Sequence, residues 1–158
     1  MNKNMNIEET FALAVEKNKN KNIQVAESLY KKILEANPNY AGVYYNLGIM
    51  YKEQEKYSES IDCYKKAIQI DPGYVQAQIN LGLIHKDLGE FQKAIDCFKK
   101  SINIQPNNAN AYNNLGLVYK KLNEYQKSQS CYEKAIQINP NNASAYTNLG
   151  IIFKELGE

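Results

Sequence analysis

Proline, the Leu-Gly pair and cysteine all recur along this chain at one fixed spacing. The four prolines lie 34 residues apart, at Pro38, Pro72, Pro106 and Pro140. The Leu-Gly pairs keep this spacing, at Leu47-Gly48, Leu81-Gly82, Leu115-Gly116 and Leu149-Gly150. The cysteines follow it too, at Cys63, Cys97 and Cys131. One period shared by three residue types indicates a tandem array, in which each unit buries its apolar surface against its neighbours rather than in one central core.

The period divides the chain into four and a half units. With Ala41 as position 1, the units cover residues 41–74, 75–108 and 109–142, and a half unit follows at 143–158. Counting backwards, residues 7–40 form a diverged first unit, which has Ala14 where the others have glycine. We therefore treat residues 1–158 as a single array.

Each unit contains two helical patterns. In the first, positions 4, 7, 8 and 11 form one apolar stripe, as in Tyr44, Leu47, Gly48 and Tyr51. Glycine costs a helix about 1 kcal/mol relative to alanine, so its recurrence at position 8 predicts close approach of a neighbouring backbone. The second pattern begins at Tyr57 and ends before a proline, which disfavours helix for the preceding residue. The predicted helices cover residues 7–19, 24–37, 41–54, 57–70, 75–88, 91–104, 109–122, 125–138 and 143–156.

The order of side-chain types within the unit is specific. The common pattern is an aromatic, Leu-Gly and an aromatic in the first half, then a small residue, an aromatic, a second small residue and Pro. Over residues 7–158 this pattern resembles the tetratricopeptide repeat (TPR). The resemblance implies an all-α fold, an α-solenoid of antiparallel helix pairs in a right-handed TPR superhelix whose first helices line a concave groove. Gln78 and His85 replace aromatic residues of the pattern, and we interpret His85 as a buried packing residue.

Composition excludes several partner classes. The net charge is +2 and all 19 basic residues are lysines. Because arginine supplies the bidentate grip on phosphates and guanine edges, we expect no nucleic acid partner. No apolar run reaches the roughly 20 residues of a membrane-spanning helix, so we expect no membrane partner. Three cysteines without a disulfide-rich pattern favour a reducing compartment. We therefore expect a cytoplasmic protein, free or associated with the cytoskeleton or another complex.

The sequence offers no candidates for catalysis or metal binding. His85, the single histidine, occupies position 11, where other units have Tyr51, Tyr119 and Phe153. The cysteines recur once per helix pair, and packed helices lie about 8–10 Å apart, whereas a disulfide needs Cα atoms within about 7 Å. We therefore predict a protein that is not an enzyme, with no catalytic residues, no metal site and no cofactor.

Positions 2, 5, 6, 9, 12 and 13 of the first helix lie opposite the buried stripe, on the face that the resemblance places in the groove. The candidate residues of a peptide-binding groove are Tyr45, Asn46, Ile49, Lys52, Ile79, Asn80, Leu83, Lys86, Asn113, Asn114, Leu117, Lys120, Asn148 and Ile151. Position 9 is aliphatic in every unit, position 6 is Asn in four units and position 12 is Lys in four.

Each of these three repeat positions can be interpreted as part of a binding surface or as ordinary helix structure. Unburied aliphatics on a concave face are typical of binding surfaces, but they could also be inherited and covered by neighbours. Asparagine can pair with both polar groups of a peptide unit, or it can cap or solvate a helix. Lysine favours ligands of acidic character, or it is ordinary solvated charge, partly cancelled by the mostly acidic position 13.

The leading hypothesis is a non-enzymatic protein–protein interaction or scaffold module that binds a peptide or partner helix in its groove. The alternative is the substrate-recruiting TPR arm of a larger enzyme, such as an O-linked N-acetylglucosamine transferase-like glycosyltransferase, because a similar asparagine ladder lines that superhelix. The family's clamp for a chaperone C-terminal carboxylate needs Lys at position 5 and Asn at position 9. Neither occurs in any unit, so we exclude that partner.

The last helix keeps a full apolar pattern without a following second helix. Its apolar residues are Tyr146, Leu149, Ile152, Phe153 and Leu156. We therefore expect either a longer natural chain or end-to-end self-association through this helix.

Overall fold

The computed structural model describes residues 6–157, and every regular element within them is an α-helix. The helices are α1 (Ile7–Lys19), α2 (Ile23–Ala36), α3 (Ala41–Glu53), α4 (Tyr57–Ile70), α5 (Val75–Asp87), α6 (Phe91–Ile104), α7 (Ala109–Lys121), α8 (Tyr125–Ile138) and α9 (Ala143–Leu156). The predicted all-α fold is confirmed, and each predicted helix end lies within one residue of the observed one.

Short turns join the helices. The turn within each pair contains three residues and the turn between pairs contains four, so consecutive helices run antiparallel. Within each pair the residue at position 15 has a left-handed backbone, with φ of 59° at Lys21, 60° at Glu55, 75° at Gly89 and 58° at Asn123. This conformation ends the first helix and reverses the chain.

The chain divides into two compact units, with the boundary between Ala77 and Gln78 inside α5. In unit one, α1 packs on α2 and α3 packs on α4, while α3 also contacts α1 and α2. Asn6 caps α1 through its side-chain oxygen, which accepts from the backbone N–H groups of Glu8 and Glu9. The core of this unit consists of Ala14, Ala26, Tyr30, Ile33, Val43, Leu47 and Met50.

Unit two contains the rest of α5 and helices α6 to α9. Here α7 packs on α6 and α8, and α9 packs on α8 and α7. One core cluster consists of Ala94, Ile95, Phe98, Leu115, Val118, Tyr119 and Cys131. A second consists of Tyr132, Ala135, Ala145 and Ile152. Leu47 and Leu115 of these cores belong to the predicted stripe, whereas Val43, Met50 and Val118 lie at the adjacent positions 3 and 10.

The position-8 glycine of each internal pair is covered by an aromatic ring of the second helix. A Cβ atom at Gly48 would lie 2.6 Å from Tyr64, and one at Gly116 would lie 2.7 Å from Tyr132. At Gly82 the Cβ atom would lie 2.8 Å from the ring of Phe98. The predicted close approach is real, but the prediction of a neighbouring backbone is wrong, because a side-chain ring fills the space.

Beside two of these rings, a serine of the second helix donates a hydrogen bond to the carbonyl oxygen of the covered glycine. Ser60 Oγ donates to Gly48 O at 2.6 Å, and Ser128 Oγ donates to Gly116 O at 2.8 Å. Both serines are fully buried, and Ala94 holds the same position in α6. Each hydroxyl thus gains a partner without disturbing the contact between the helices.

His85 is a buried packing residue with one polar contact. Its side chain is buried, as is that of Tyr119 at the equivalent position, which confirms the interpretation from the sequence. The Nδ1 atom of His85 lies 2.5 Å from Oε2 of Glu90, and the other oxygen of Glu90 accepts from Lys93 at 2.8 Å. Lys93, followed by His85, holds the pKa of the Glu90 carboxyl below its usual value.

Gly116→Ala should destabilise the protein, whereas Gly150→Ala should not. Overpacking costs about 1–3 kcal/mol, and alanine returns about 1 kcal/mol of helix propensity. At Gly116 the new Cβ meets the buried Tyr132 ring, so we expect a net loss of about 1 kcal/mol. At Gly150 the Cβ meets nothing within 4 Å, so only the gain in helix propensity remains. Urea unfolding followed by circular dichroism tests this pair, and equal stabilisation by both substitutions would contradict the account.

Glu90→Gln should lower the unfolding temperature near neutral pH and have little effect in acid. A carboxyl whose pKa is lowered by folding stabilises the native state above its unfolded pKa of roughly 4.5. That contribution is lost as the pH falls through the folded pKa. Thermal unfolding at about pH 7 and about pH 3 measures the difference, with Glu53→Gln on the exposed side of α3 as control. A difference that persists unchanged at the lower pH would exclude this role for Glu90.

Candidate functional site

The candidate groove residues lie on the first helices of their pairs, with one set in each unit. Unit one carries four of them on α3, namely Tyr45, Asn46, Ile49 and Lys52. Unit two carries the remaining ten on α5, α7 and α9, namely Ile79, Asn80, Leu83, Lys86, Asn113, Asn114, Leu117, Lys120, Asn148 and Ile151. In unit one α1 contacts α3, and in unit two α7 contacts α9. We call the surface formed by positions 5, 6, 9 and 12 of these neighbouring first helices the first-helix face, and each unit has its own.

The position-9 aliphatics are half-buried rather than fully exposed. Ile49, Leu83 and Leu117 belong to this intermediate class, and Ile151 on α9 is 37% exposed. Leu83 also packs against the core cluster that contains Phe98. Part of each side chain thus serves packing, and the remaining edge lies on the first-helix face.

Two of the position-6 asparagines already make hydrogen bonds within the chain. Asn46 Nδ2 donates to Gly42 O at 2.8 Å, which is a bond within α3. Asn148 Nδ2 donates to Asn113 Oδ1 at 3.3 Å and joins α9 to α7. A carboxamide has two donor hydrogens and one acceptor oxygen with two lone pairs, so each of these bonds uses only part of its capacity.

In unit one the first-helix face is built from stacked aromatic rings. The ring centroid of Tyr45 lies 5.0 Å from that of Tyr74 and 5.9 Å from that of Tyr64. Phe11 and Tyr40, at the equivalent positions of the preceding repeat, have centroids 5.2 Å apart. Such offset pairs are rigid apolar surfaces. Tyr40 and Tyr74 are both at position 34 of the repeat, which sequence analysis did not include among the groove positions.

Unit two contains a cleft of about 660 Å³ where the first helices end. Its wall contains three predicted residues, Lys86, Leu117 and Lys120. It also contains residues that sequence analysis did not select, namely Asp87, Gly89, Phe91, Lys121, Asn123, Tyr125 and Glu155. The other predicted residues of this unit lie along the first helices outside the wall of this cleft.

Four of the missed cleft residues occupy positions 15 and 17 of the repeat, which sequence analysis did not consider for the site. Position 17 is aromatic in each internal 34-residue repeat. In the second compact unit of the structure this position supplies Phe91 and Tyr125, at the starts of α6 and α8. Position 15 supplies Gly89 and Asn123, whose left-handed backbone turns the chain beside the cleft. Sequence analysis stopped at the end of the first helix, and the cleft extends into the turn beyond it.

The cleft carries a small positive excess and an apolar floor. Three lysines and two acidic residues line it. Lys86 Nζ lies 3.2 Å from Asp87 Oδ1, so part of the lysine charge is neutralised, as the acidic residues at position 13 predict. Leu117, Phe91 and Tyr125 provide apolar surface between these charges. The arrangement suits one apolar side chain flanked by a carboxylate.

Burial makes two of the cysteine thiols weak nucleophiles. The cysteines are free thiols, and burial raises the pKa of both Cys63 and Cys131 to about 11, so these two stay protonated and weakly nucleophilic near neutral pH. Among residues 6–157 no group of three His, Cys, Asp or Glu side chains is arranged to hold a metal ion. Within the same residues no helix combines the length and apolarity needed to cross a bilayer.

Family models and solved structures agree with this architecture. Models described as tetratricopeptide repeat match residues 41–74, 74–141 and 131–158. A crystal structure of MamA is 31% identical, with a TM-score of 0.83, and the match covers 91% of this chain and 84% of that one. A second MamA structure is 30% identical, with a TM-score of 0.85, and covers 96% and 82% of the two chains. No curated protein sequence matches the chain.

A third solved structure contains a bound ligand. The first TPR of Spaghetti (RPAP3), bound to the HSP90 peptide SRMEEVD, is 27% identical with a TM-score of 0.72, and the match covers 75% of this chain and 94% of that one. These neighbours are consistent with an all-α TPR fold of the kind that serves protein interaction. Three family models and a relative that is 31% identical over most of both chains establish that this chain belongs to the tetratricopeptide repeat family.

Proposed function

We propose that this chain is a non-enzymatic interaction module that binds a peptide or partner helix on its first-helix faces. The observation that carries the proposal is the cleft of unit two, where Leu117, Phe91 and Tyr125 form an apolar surface between Lys86 and Lys120. Ligand pockets in proteins combine such an apolar lining with a few charged groups that fix orientation.

The ligand class follows from the groups around the cleft. An apolar side chain of the ligand would contact Leu117, and an acidic side chain next to it would pair with Lys120 or Lys121. The partly free carboxamides of Asn113 and Asn148 would hold the ligand backbone through its N–H and C=O groups. The ligand would therefore be a short segment with alternating apolar and acidic side chains.

The RPAP3 structure supports a peptide as ligand, but the binding mode differs here. Its HSP90 peptide, SRMEEVD, contains apolar and acidic residues. The carboxylate clamp that our sequence analysis excluded needs Lys at position 5, where this chain has Phe11, Tyr45, Ile79, Asn113 and Thr147. We therefore propose recognition of an internal acidic–apolar segment rather than of a C-terminal carboxylate.

A second candidate is a substrate-recruiting arm of a larger enzyme. The observation that favours it is the amide contact between Asn148, at position 6 of α9, and Asn113, at position 5 of α7, which brings asparagines of two first helices together. Recognition by such a row reads the ligand backbone and tolerates many ligand sequences. A strong preference for an acidic–apolar motif would therefore favour the interaction module over this alternative.

Leu117→Asp should remove peptide binding while the fold survives. Leu117 lines the cleft, whereas Leu83 also packs against a core cluster, so Leu117 is the safer site for a charge. The probe is a library of random twelve-residue peptides displayed on phage. We expect selected peptides to bind Leu117→Asp and Lys120→Glu about tenfold or more weakly than the parent chain.

Lys134→Glu is the matched control, because Lys134 is exposed on α8, where its amine donates to Oε1 of Gln137 at 2.8 Å. It should bind the selected peptides like the parent chain, and circular dichroism should report equal helicity for all variants. Equal affinity of the Leu117→Asp, Lys120→Glu and Lys134→Glu chains would refute the proposed site.

A further inference from the structure

Four aromatic side chains form a patch in unit one that unit two does not repeat. Phe11 and Tyr45 are at position 5 of their repeats, and Tyr40 and Tyr74 are at position 34. The ring centroids of Phe11 and Tyr40 lie 5.2 Å apart, and those of Tyr45 and Tyr74 lie 5.0 Å apart. All four side chains are half-buried, so part of each ring remains accessible. We call these four residues the aromatic patch.

Packing of the repeat does not require rings at these positions. In unit two, position 5 is occupied by Ile79, Asn113 and Thr147, and position 34 by Asn108 and Asn142. The two position-34 asparagines instead cap the helices that follow them, by accepting from a backbone N–H group. The helices of unit two nevertheless form core clusters of their own. The aromatic patch is therefore a particular feature of unit one.

The segments that carry the aromatic patch are acidic. They cover residues 7–16, 37–51 and 67–77, and none of the three contains a lysine. Their charged residues are Glu8, Glu9, Glu16 and Asp71. The cleft of unit two differs, because three lysines and two acidic residues line it. The two units therefore favour ligands of opposite charge.

The turn between α4 and α5 holds an exposed carboxylate beside one ring of the patch. The N–H of Tyr74 donates to the backbone oxygen of Asp71 at 3.1 Å, and the N–H of Gly73 donates to Asp71 Oδ1 at 2.9 Å. Burial, followed by the nearby Tyr45, Asp71 and Tyr40, raises the pKa of the Tyr74 phenol. The Tyr74 side chain therefore lies within electrostatic range of two further phenols and one carboxylate.

We propose that the aromatic patch binds an arginine side chain on an exposed segment of a partner protein. The faces of aromatic rings carry partial negative charge and attract cations. A guanidinium group is planar and weakly hydrated, so it can stack on a ring while it pairs with a carboxylate. The arginine of the partner lies against Tyr74 and donates to the carboxylate of Asp71. This proposal rests on the proposed function, because it assigns a ligand chemistry to the first-helix face of unit one.

A second copy of this chain cannot be that partner. All 19 of its basic residues are lysines, and the ammonium group of lysine is a strongly hydrated point charge that does not stack on a ring as a plane. An acidic segment is disfavoured as well, because the segments of the patch offer carboxylates and no lysine to pair with it. The partner is therefore a different protein with an arginine-bearing segment.

The test titrates the isotope-labelled chain with the acetylated and amidated peptide Gly-Arg-Gly-Arg-Gly and follows its amide resonances by NMR. We expect saturable shifts of the Gly73 and Tyr74 resonances. A second peptide has citrulline in place of each arginine, so that a neutral urea of the same shape replaces the guanidinium group. It should bind about threefold or more weakly, because the attraction between a cation and the rings is lost.

Asp71→Asn removes the charge and keeps the turn. Asn37 and Asn139 occupy the same repeat position, and their side chains accept the same turn bond at 3.1 Å. The variant should bind the arginine peptide about threefold or more weakly. Tyr74→Leu, which keeps an apolar side chain but removes the aromatic face, should weaken binding by about the same factor. Asp62→Asn is the matched control, because it makes the same change in charge at an exposed position of α4, and it should bind like the parent chain.

Leu117→Asp in unit two should also bind the arginine peptide like the parent chain, so this test and that of the proposed cleft can fail separately. Circular dichroism should report equal helicity for all variants. Absence of saturable shifts overturns the proposal, as does equal affinity of the Asp71→Asn and Asp62→Asn chains. Equal binding of the arginine and citrulline peptides would also overturn it, by assigning the patch to an uncharged ligand.

Discussion

The contact between a helical glycine and an aromatic ring sets the geometry of each internal helix pair. Because Gly48 and Gly116 have no Cβ, Tyr64 and Tyr132 can lie directly against the first helix. The serine hydroxyls beside these rings then reach the glycine carbonyls. The close approach has a cost in helix propensity, which the burial of a whole aromatic ring offsets. Without this contact the two helices would lie further apart, and the rest of the unit would have to repack.

This packing explains which side chains remain for binding. Positions 4, 7, 8 and 11 of the first helix are used for packing, and position 10 is fully buried as well, as Met50, Ile84, Val118 and Ile152 show. Positions 6, 9 and 12 keep a free edge on the first-helix face. In unit two Phe91 and Tyr125, the first residues of α6 and α8, line a cleft together with residues of this face. The proposed binding surface thus consists of first-helix side chains that packing between the helices does not fully bury.

The sequence predicted the fold almost completely because a 34-residue period repeats every signal several times. Each of the four second helices ends two residues before a proline, and the period carries every boundary from one repeat to the next, so the boundaries agree within one residue. The site was harder to predict. A helical wheel assigns Leu83 to the free face, but it does not show that Leu83 also packs against a core cluster. It also cannot show that Tyr125, at the start of α8, lines the same cleft as Leu117, because this depends on the tertiary arrangement. The bond from Asn46 to Gly42 is local to α3, and a helical wheel gives positions on a face without such bonds.

Methyl NMR of the chain with a selected peptide tests the central claim, that ligands bind on the first-helix face, most directly. The account predicts that the methyl resonances of Leu117 shift on titration and saturate at the affinity measured for that peptide. The resonances of Val25, which is exposed on α2, should not move. Shifts concentrated on second helices such as α2, with Leu117 unchanged, would contradict the account.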